Sequence, residues 1–154
     1  MESDESKALF YKRANFSTRL PLDRVYSASH FWLLEQDGIW RVGLTKFGTH
    51  LLGEIVDYGF DIQHGQAVRV SQVLGWIEGF KAVSDLVSVI DGTFGGSNPD
   101  LPKHTEAINQ DCYGEGWLYE GVGQPDPLCL SAQDYLAHLD QTINGLLEKQ
   151  SPLD

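Results

Sequence analysis

Residues 75–86 read Gly75-Trp76-Ile77-Glu78-Gly79-Phe80-Lys81-Ala82-Val83-Ser84-Asp85-Leu86. An apolar, β-prone run (Val73, Leu74, Trp76, Ile77) leads into Gly79-Phe80-Lys81, and a second run (Leu86, Val87, Val89, Ile90) leads out to Asp91-Gly92. Two such runs flanking a short glycine-containing turn predict a β-hairpin, with Lys81 at or beside its tip. A lysine there has a plain explanation, since hairpin tips and sheet edges often carry one for solubility and edge protection.

Working outward, Tyr26, His30–Leu34 and Ile39–Leu44 are rich in aromatic and β-branched residues, with Glu35-Gln36-Asp37-Gly38 as a hairpin turn between the last two. Thr45 is placed to cap a short helix over 46–52, with Phe47, Leu51 and Leu52 inward and Gly53 ending it. Glu54–Tyr58 reads as a strand broken at Gly59 and Asp61, and Gly65 turns the chain into Ala67–Val70. Downstream, Gly95, Gly96, Asn98 and Pro99 make Gly92–Pro102 read as a loop. Asn109–Gly116 is polar and turn-rich and leads into Trp117-Leu118-Tyr119, a last strand. Ser131 with Asp134 resembles a capping box. Behind it Tyr135, Leu136, Leu139, Ile143, Leu146 and Leu147 recur at helical spacing, predicting a C-terminal helix over 131–149 packed on the domain. Residues 1–24 hold Phe10, Tyr11, Phe16, Leu20 and Leu22 without a clear period, and Pro21 excludes a helix there, so they read as an extension.

At 154 residues, with 42% hydrophobic and 21% charged positions, the chain suits one soluble domain. A net charge of −11 disfavours nucleic acid and anionic membranes, which need a basic footprint. No run approaches the roughly 18–20 apolar residues that span a bilayer. The acidic start Met1-Glu2-Ser3-Asp4-Glu5 is the opposite of a leader and implies a cytoplasmic home. The five histidines (His30, His50, His64, His104, His138) are scattered without metal-ligand spacing. Cys112 and Cys129 form no disulfide framework, and the sequence around Cys112 (Asp111-Cys112-Tyr113) offers acids but no base or cation to lower its thiol pKa, so neither reads as a nucleophile. Ser84-Asp85 reads as a turn or recognition feature rather than part of a triad. None of this makes an active site.

The motif Glu78-x-x-Lys81-Ala82-x-Ser84-Asp85-Leu86, with Gly92 eleven positions after the lysine, resembles the lipoylation motif of the glycine cleavage system H-protein family. The likeness extends to His30-Phe31-Trp32, Val42-Gly43-Leu44-Thr45, Leu52-Gly53-Glu54-Ile55-Val56 and Ile108–Trp117. It implies a mainly β fold: a flattened β-barrel or sandwich of lipoyl-domain type over 25–130, with the helices near 46–52 and at the C-terminus. It implies lipoate joined by an amide to Lys81, with Glu78 and Gly92 read by the lipoylating enzyme. It also implies a non-catalytic carrier, visited by glycine decarboxylase (a pyridoxal-phosphate enzyme), aminomethyltransferase and dihydrolipoamide dehydrogenase. The lysine-plus-lipoyl arm, about ten bonds of about 1.5 Å, reaches on the order of 15 Å. The chemistry of such an arm belongs to the cofactor, and the protein presents it.

Several residues depart from the family pattern. Family members usually read Glu-Ser-Val-Lys, whereas here Gly79 and Phe80 precede Lys81. Trp76 replaces a small aliphatic residue, Val89 stands where proline is common, and Cys112 also takes a usual proline position. Phe31 stands where glycine-cleavage members carry glutamate. It resembles related lipoate carriers of sulfur oxidation, which is the alternative pathway; an unmodified interaction protein derived from the family is the alternative of another class. Biotin carriers flank their lysine with methionines, and Met1 is the sole methionine here. The strand period predicts that His30 and Phe31 point to opposite faces. Gly92, after a strand, is expected to hold a backbone conformation that residues with a Cβ avoid.

Overall fold

A computed structural model of the chain describes residues 7–150; the acidic start Met1–Glu5 lies outside the described residues. In chain order come strands β1 (Ala8–Arg13), β2 (Phe16–Pro21), β3 (Val25–Tyr26), β4 (Phe31–Gln36) and β5 (Ile39–Leu44), then helix α1 (Lys46–Leu52). Next are β6 (Ile55–Phe60), β7 (Ala67–Val68), β8 (Val73–Gly79), β9 (Val83–Val87) and β10 (Ile90–Ser97). Helix α2 (Ala107–Gln110), strand β11 (Tyr119–Pro125) and helix α3 (Ala132–Gln150) finish the chain. The fold is mainly β, as the resemblance implies. A six-stranded antiparallel sheet in the order β3-β4-β5-β11-β10-β7 faces a three-stranded one, β6-β8-β9, and both are open-edged.

The two sheets share one core. Phe31, Leu33, Val42 and Leu44 of the larger sheet meet Leu74, Ile77 and Leu86 of the smaller. The expected turn between β4 and β5 tightens to Asp37-Gly38, both at positive φ (54° and 81°), the geometry of a two-residue hairpin turn. Thr45 does cap α1, its hydroxyl accepting from the Gly48 amide, and Gly53 ends the helix at φ 81°.

The first half of β4, Phe31–Leu33, is buried on both faces, because α3 and the β1–β2 hairpin cover the outer side of the larger sheet. Trp32 and Tyr26 join Phe16, Leu20, Phe47, Tyr135, Leu139 and Ile143 there in a second apolar cluster. Trp32 fits because its cross-strand partner is Gly43, where a Cβ would lie 2.4 Å from the indole. The Tyr11 hydroxyl donates to Asp140 at 2.8 Å, and Arg13 binds Asp140 and Asn144, so the hairpin is clamped to α3.

Four expectations need correction. Residues 8–21 are not aperiodic; they form this hairpin, with Tyr11, Phe16, Thr18 and Leu20 buried. Gly92–Pro102 is not a loop throughout, since β10 runs to Ser97 between β11 and β7. The last strand begins at Tyr119, not Trp117. Leu51 is 38% exposed rather than inward, because the groove beside α1 is left open.

Candidate functional site

Glu78 pairs with Val83, and the Gly79 amide donates to the Ala82 carbonyl at 2.9 Å, leaving Phe80 and Lys81 as the loop of the β8–β9 hairpin. Both are exposed, Phe80 at 76%. The tip is nonetheless fixed from behind. Lys81 donates its amide to Leu52 O at 2.8 Å and Phe80 donates to Glu54 O at 3.1 Å, so the end of α1 holds the turn by its backbone. Gly79 permits this approach: a Cβ there would meet Leu52 O at 2.2 Å. At Gly53 a Cβ would lie 2.9 Å from Lys81 N and 3.0 Å from Lys81 Cγ, so the lysine stem starts out along that glycine. Lys81 Nζ hangs 3.5 Å from His50 O and makes no ion pair among the described residues.

Beside the hairpin lies a cavity of about 280 Å³. Its walls include Phe31, Leu44, Leu52 and Ile77, and Ser84 and Asp85 stand on its rim from β9. Asp85 is its sole acidic lining residue. Phe31 faces inward into the core at 3% exposure while still walling this space, and His30, at φ 76°, precedes the strand and is half-buried. The strand alternation expected across these two residues therefore does not apply: it begins only at Phe31.

His30 also lines the cavity and hydrogen-bonds through Nδ1 to the Tyr135 hydroxyl at 2.8 Å, which in turn bonds Thr45 Oγ1 at 2.8 Å. The His138 ring stacks on it at 5.6 Å. Burial, with His138 adding to it, lowers the His30 pKa from 6.5 to about 4. Between those values the unfolded chain binds a proton that the folded chain rejects. The stabilisation is complete above pH 6.5 and is lost as pH falls through 4, a swing of about 3 kcal/mol. The urea midpoint should fall across this window, and His30→Gln should flatten the fall relative to the natural chain. Equal slopes for the two proteins would remove His30 as the cause.

The other sequence-predicted residues are not gathered at the tip. Glu78 is half-buried in β8, between Asp57 of β6 and Val83 of β9. Gly92 belongs to β10 of the other sheet, paired with Val68 and Gly123. Its φ is not positive; a Cβ is excluded because it would sit 1.9 Å from Val122 O. Burial pushes the Cys112 thiol up to about 12, leaving it protonated and unreactive at neutral pH. Asn109 was not singled out by the sequence, yet it exchanges two hydrogen bonds with the Ile55 backbone (2.8 and 3.1 Å) and fixes the chain just past Glu54. Its place in the polar run after Ile108, inside the block 108–117 that resembles the family, is the signal that points to it. Among the described residues no cluster could hold a metal, and no helix is long and apolar enough to cross a membrane.

The family model for the glycine cleavage H-protein matches residues 24–124. The chain belongs to the glycine cleavage H-protein family. The glycine cleavage system H protein of Neisseria meningitidis serogroup A is 37% identical over 129 residues, covering 80% of this chain and 99% of that one. That of Rubrobacter xylanophilus is 34% identical over 122 residues, covering 79% of this chain and 96% of the relative. In structure the chain is similar to a glycine cleavage system H protein from Mycobacterium marinum, with a TM-score of 0.72, 30% identity, and coverage of 79% of this chain and 99% of that one.

Within the H-protein family pattern, the departures now have local reasons. Trp76 lies opposite Gly59, where a Cβ would come within 2.8 Å of its ring. Val89 keeps an amide that proline lacks, and donates it to the Tyr119 hydroxyl at 3.1 Å; that hydroxyl donates onward to Val87 O. The buried tyrosine is thereby satisfied on both sides. Gly79 brings the hairpin close onto α1, and Phe80 adds an exposed ring beside Lys81.

Proposed function

We propose that this chain is a lipoyl carrier of the glycine cleavage system, with lipoate attached by an amide to Lys81. In this reading the lipoylating enzyme recognises Glu78 and Gly92. The carrier then takes an aminomethyl group from glycine decarboxylase to aminomethyltransferase, and dihydrolipoamide dehydrogenase reoxidises the arm. The chain itself is no catalyst and works in the cytoplasm, and its charge of −11 suits docking to basic protein surfaces rather than nucleic acid or membrane. The observation that carries the reading is the tip: an exposed lysine on a two-residue turn whose backbone is held by Leu52 O and Glu54 O. A fixed tether point keeps the arm's reach constant and its effective concentration high at each docked partner.

The residues present fit the group. Phe31, Leu52 and Ile77 wall a cavity of about 280 Å³ beginning three residues beyond Lys81, well inside the roughly 15 Å reach of the arm. Lipoate supplies a disulfide that opens to carry the one-carbon amine. With phenylalanine where relatives carry glutamate, the exposed Asp85 carboxylate is the counter-charge left to face a cationic amine at the rim. At an exposed site that attraction is worth about 0.2–1 kcal/mol. Lipoylated chain should therefore support glycine–bicarbonate exchange by glycine decarboxylase, and lipoylated Asp85→Asn should slow it by roughly 1.4- to fivefold. Lipoylated chain that supports no exchange at all would remove the glycine-cleavage assignment.

A further inference from the structure

A second cavity of about 280 Å³ lies on the other flank of α1. Its floor is Phe47 and His50; its walls are Phe16 from the β1–β2 hairpin and Ile143, Leu146 and Leu147 from α3. The walls therefore come from residues outside 24–124, the part that matches the family. Lys81 lines this groove, whereas it does not line the cavity rimmed by Ser84 and Asp85. Its Nζ lies 3.5 Å from the carbonyl of His50, a residue of the groove floor; His50 and Lys81 also border a wider hollow of about 560 Å³ with Gly53 and with Glu54, Asn109 and Gln110, whose polar side chains suit a hydrocarbon arm less.

We propose that this groove is a second resting site for the lipoyl group on Lys81, an assignment that rests on the carrier reading above. The chemistry of the lining matches an uncharged hydrocarbon chain ending in sulfur. Phe16 and Phe47 meet edge to face at 5.2 Å and Phe16 lies 5.2 Å from His50, so aromatic rings face the space where the dithiolane would sit. Sulfur against aromatic edges is favourable. Burial, ahead of a Lys81 charge that amidation takes away, lowers the His50 pKa, so this ring is neutral at physiological pH and suits an apolar guest. Arg13 lines one end but is committed to Asp140 and Asn144. Amidation removes the Lys81 charge and leaves one N–H on Nζ, for which His50 O is the acceptor within reach. The groove lies just under the roughly 300 Å³ at which small-molecule sites begin, a size for a partly embedded chain. Helix α1 thus stands as a ridge between two places for one arm. Occupying this one shelters the dithiol between visits and competes with its delivery to partner enzymes.

The test uses the full chain, lipoylated in vitro, with intact mass first reporting whether Lys81 carries the group. Methyl NMR spectra are then compared before and after lipoylation, and the reduced arm is alkylated with iodoacetamide. Shifts at Ile143, Leu146 and Leu147 methyls are expected. Leu146→Asn/Leu147→Asn, both at partly exposed positions, should raise the alkylation rate by roughly fivefold as apolar cover is lost. Leu128→Asn, on the exposed loop before α3, should leave the rate unchanged. Unchanged α3 methyls, shifts confined to Leu44 and Leu52, or equal alkylation rates in the double variant and the natural chain each overturn the groove while leaving the carrier reading standing. A chain that takes up no lipoyl group fails at the mass measurement instead, and takes the carrier reading with it.

Discussion

Gly92→Val is expected to lower the stability of the folded chain by about 3 kcal/mol, read as a urea midpoint lower by about 1–2 M. Gly92 and Gly123 face each other across β10 and β11. A Cβ on Gly92 would meet Val122 O at 1.9 Å and Gly123 Cα at 2.9 Å, both backbone atoms of a paired strand. Neither can swing aside as a flexible side chain would, so the strands must separate. Alanine meets the same obstacle as valine, since the first added carbon is the one that clashes. From sequence alone, a glycine after a strand predicts a backbone conformation that residues with a Cβ avoid. The structure gives Gly92 an ordinary strand φ and a steric reason instead. A Gly92→Val midpoint matching that of the natural chain would contradict this account. Any loss of lipoylation in that variant has to be judged against its fold, which a circular dichroism spectrum of the same sample supplies.

Much of the site could be read from residues alone. Two apolar runs around Gly79-Phe80-Lys81 gave the hairpin, and a threonine ahead of Lys46–Leu52 with a glycine after it gave α1, because these patterns are local. What escaped was set by contacts distant in sequence. Phe16, Thr18 and Leu20 do alternate inward in β2, but the middle member is a threonine, which hid the period; its hydroxyl is satisfied by Tyr113, 95 residues away. Gly92, Gly95 and Gly96 resembled a loop, yet they lie in β10 where β11 approaches closely. The anchoring of Lys81 runs through the carbonyls of Leu52 and Glu54, which carry no side-chain signature. Alternation puts His30 and Phe31 on opposite faces without saying which one is inward; the fold turns Phe31 into the core beside the cavity, so Phe31→Glu would bury a charge rather than decorate a surface.

Lys81→Arg should abolish carrier function while leaving the fold intact. The side chain is exposed, makes no ion pair among the described residues, and contributes only a long 3.5 Å contact to His50 O. The two backbone bonds that hold the tip involve amides and carbonyls that arginine keeps. Arginine retains the charge but offers no amine able to form the lipoyl amide, so glycine–bicarbonate exchange should fall to the level seen without carrier. The urea midpoint should stay within about 0.5 kcal/mol equivalent of the natural chain. A variant that keeps exchange activity would place the reactive group elsewhere.

The most direct measurement is the intact mass of the natural chain and of Lys81→Arg after incubation with a lipoylating enzyme, lipoate and ATP to activate its carboxylate, followed by peptide mapping. One added lipoyl group is expected on the natural chain, located on Lys81, and none on the variant. An unmodified natural chain in the presence of a competent enzyme, or a lipoyl group mapped to any other lysine, would contradict attachment at Lys81.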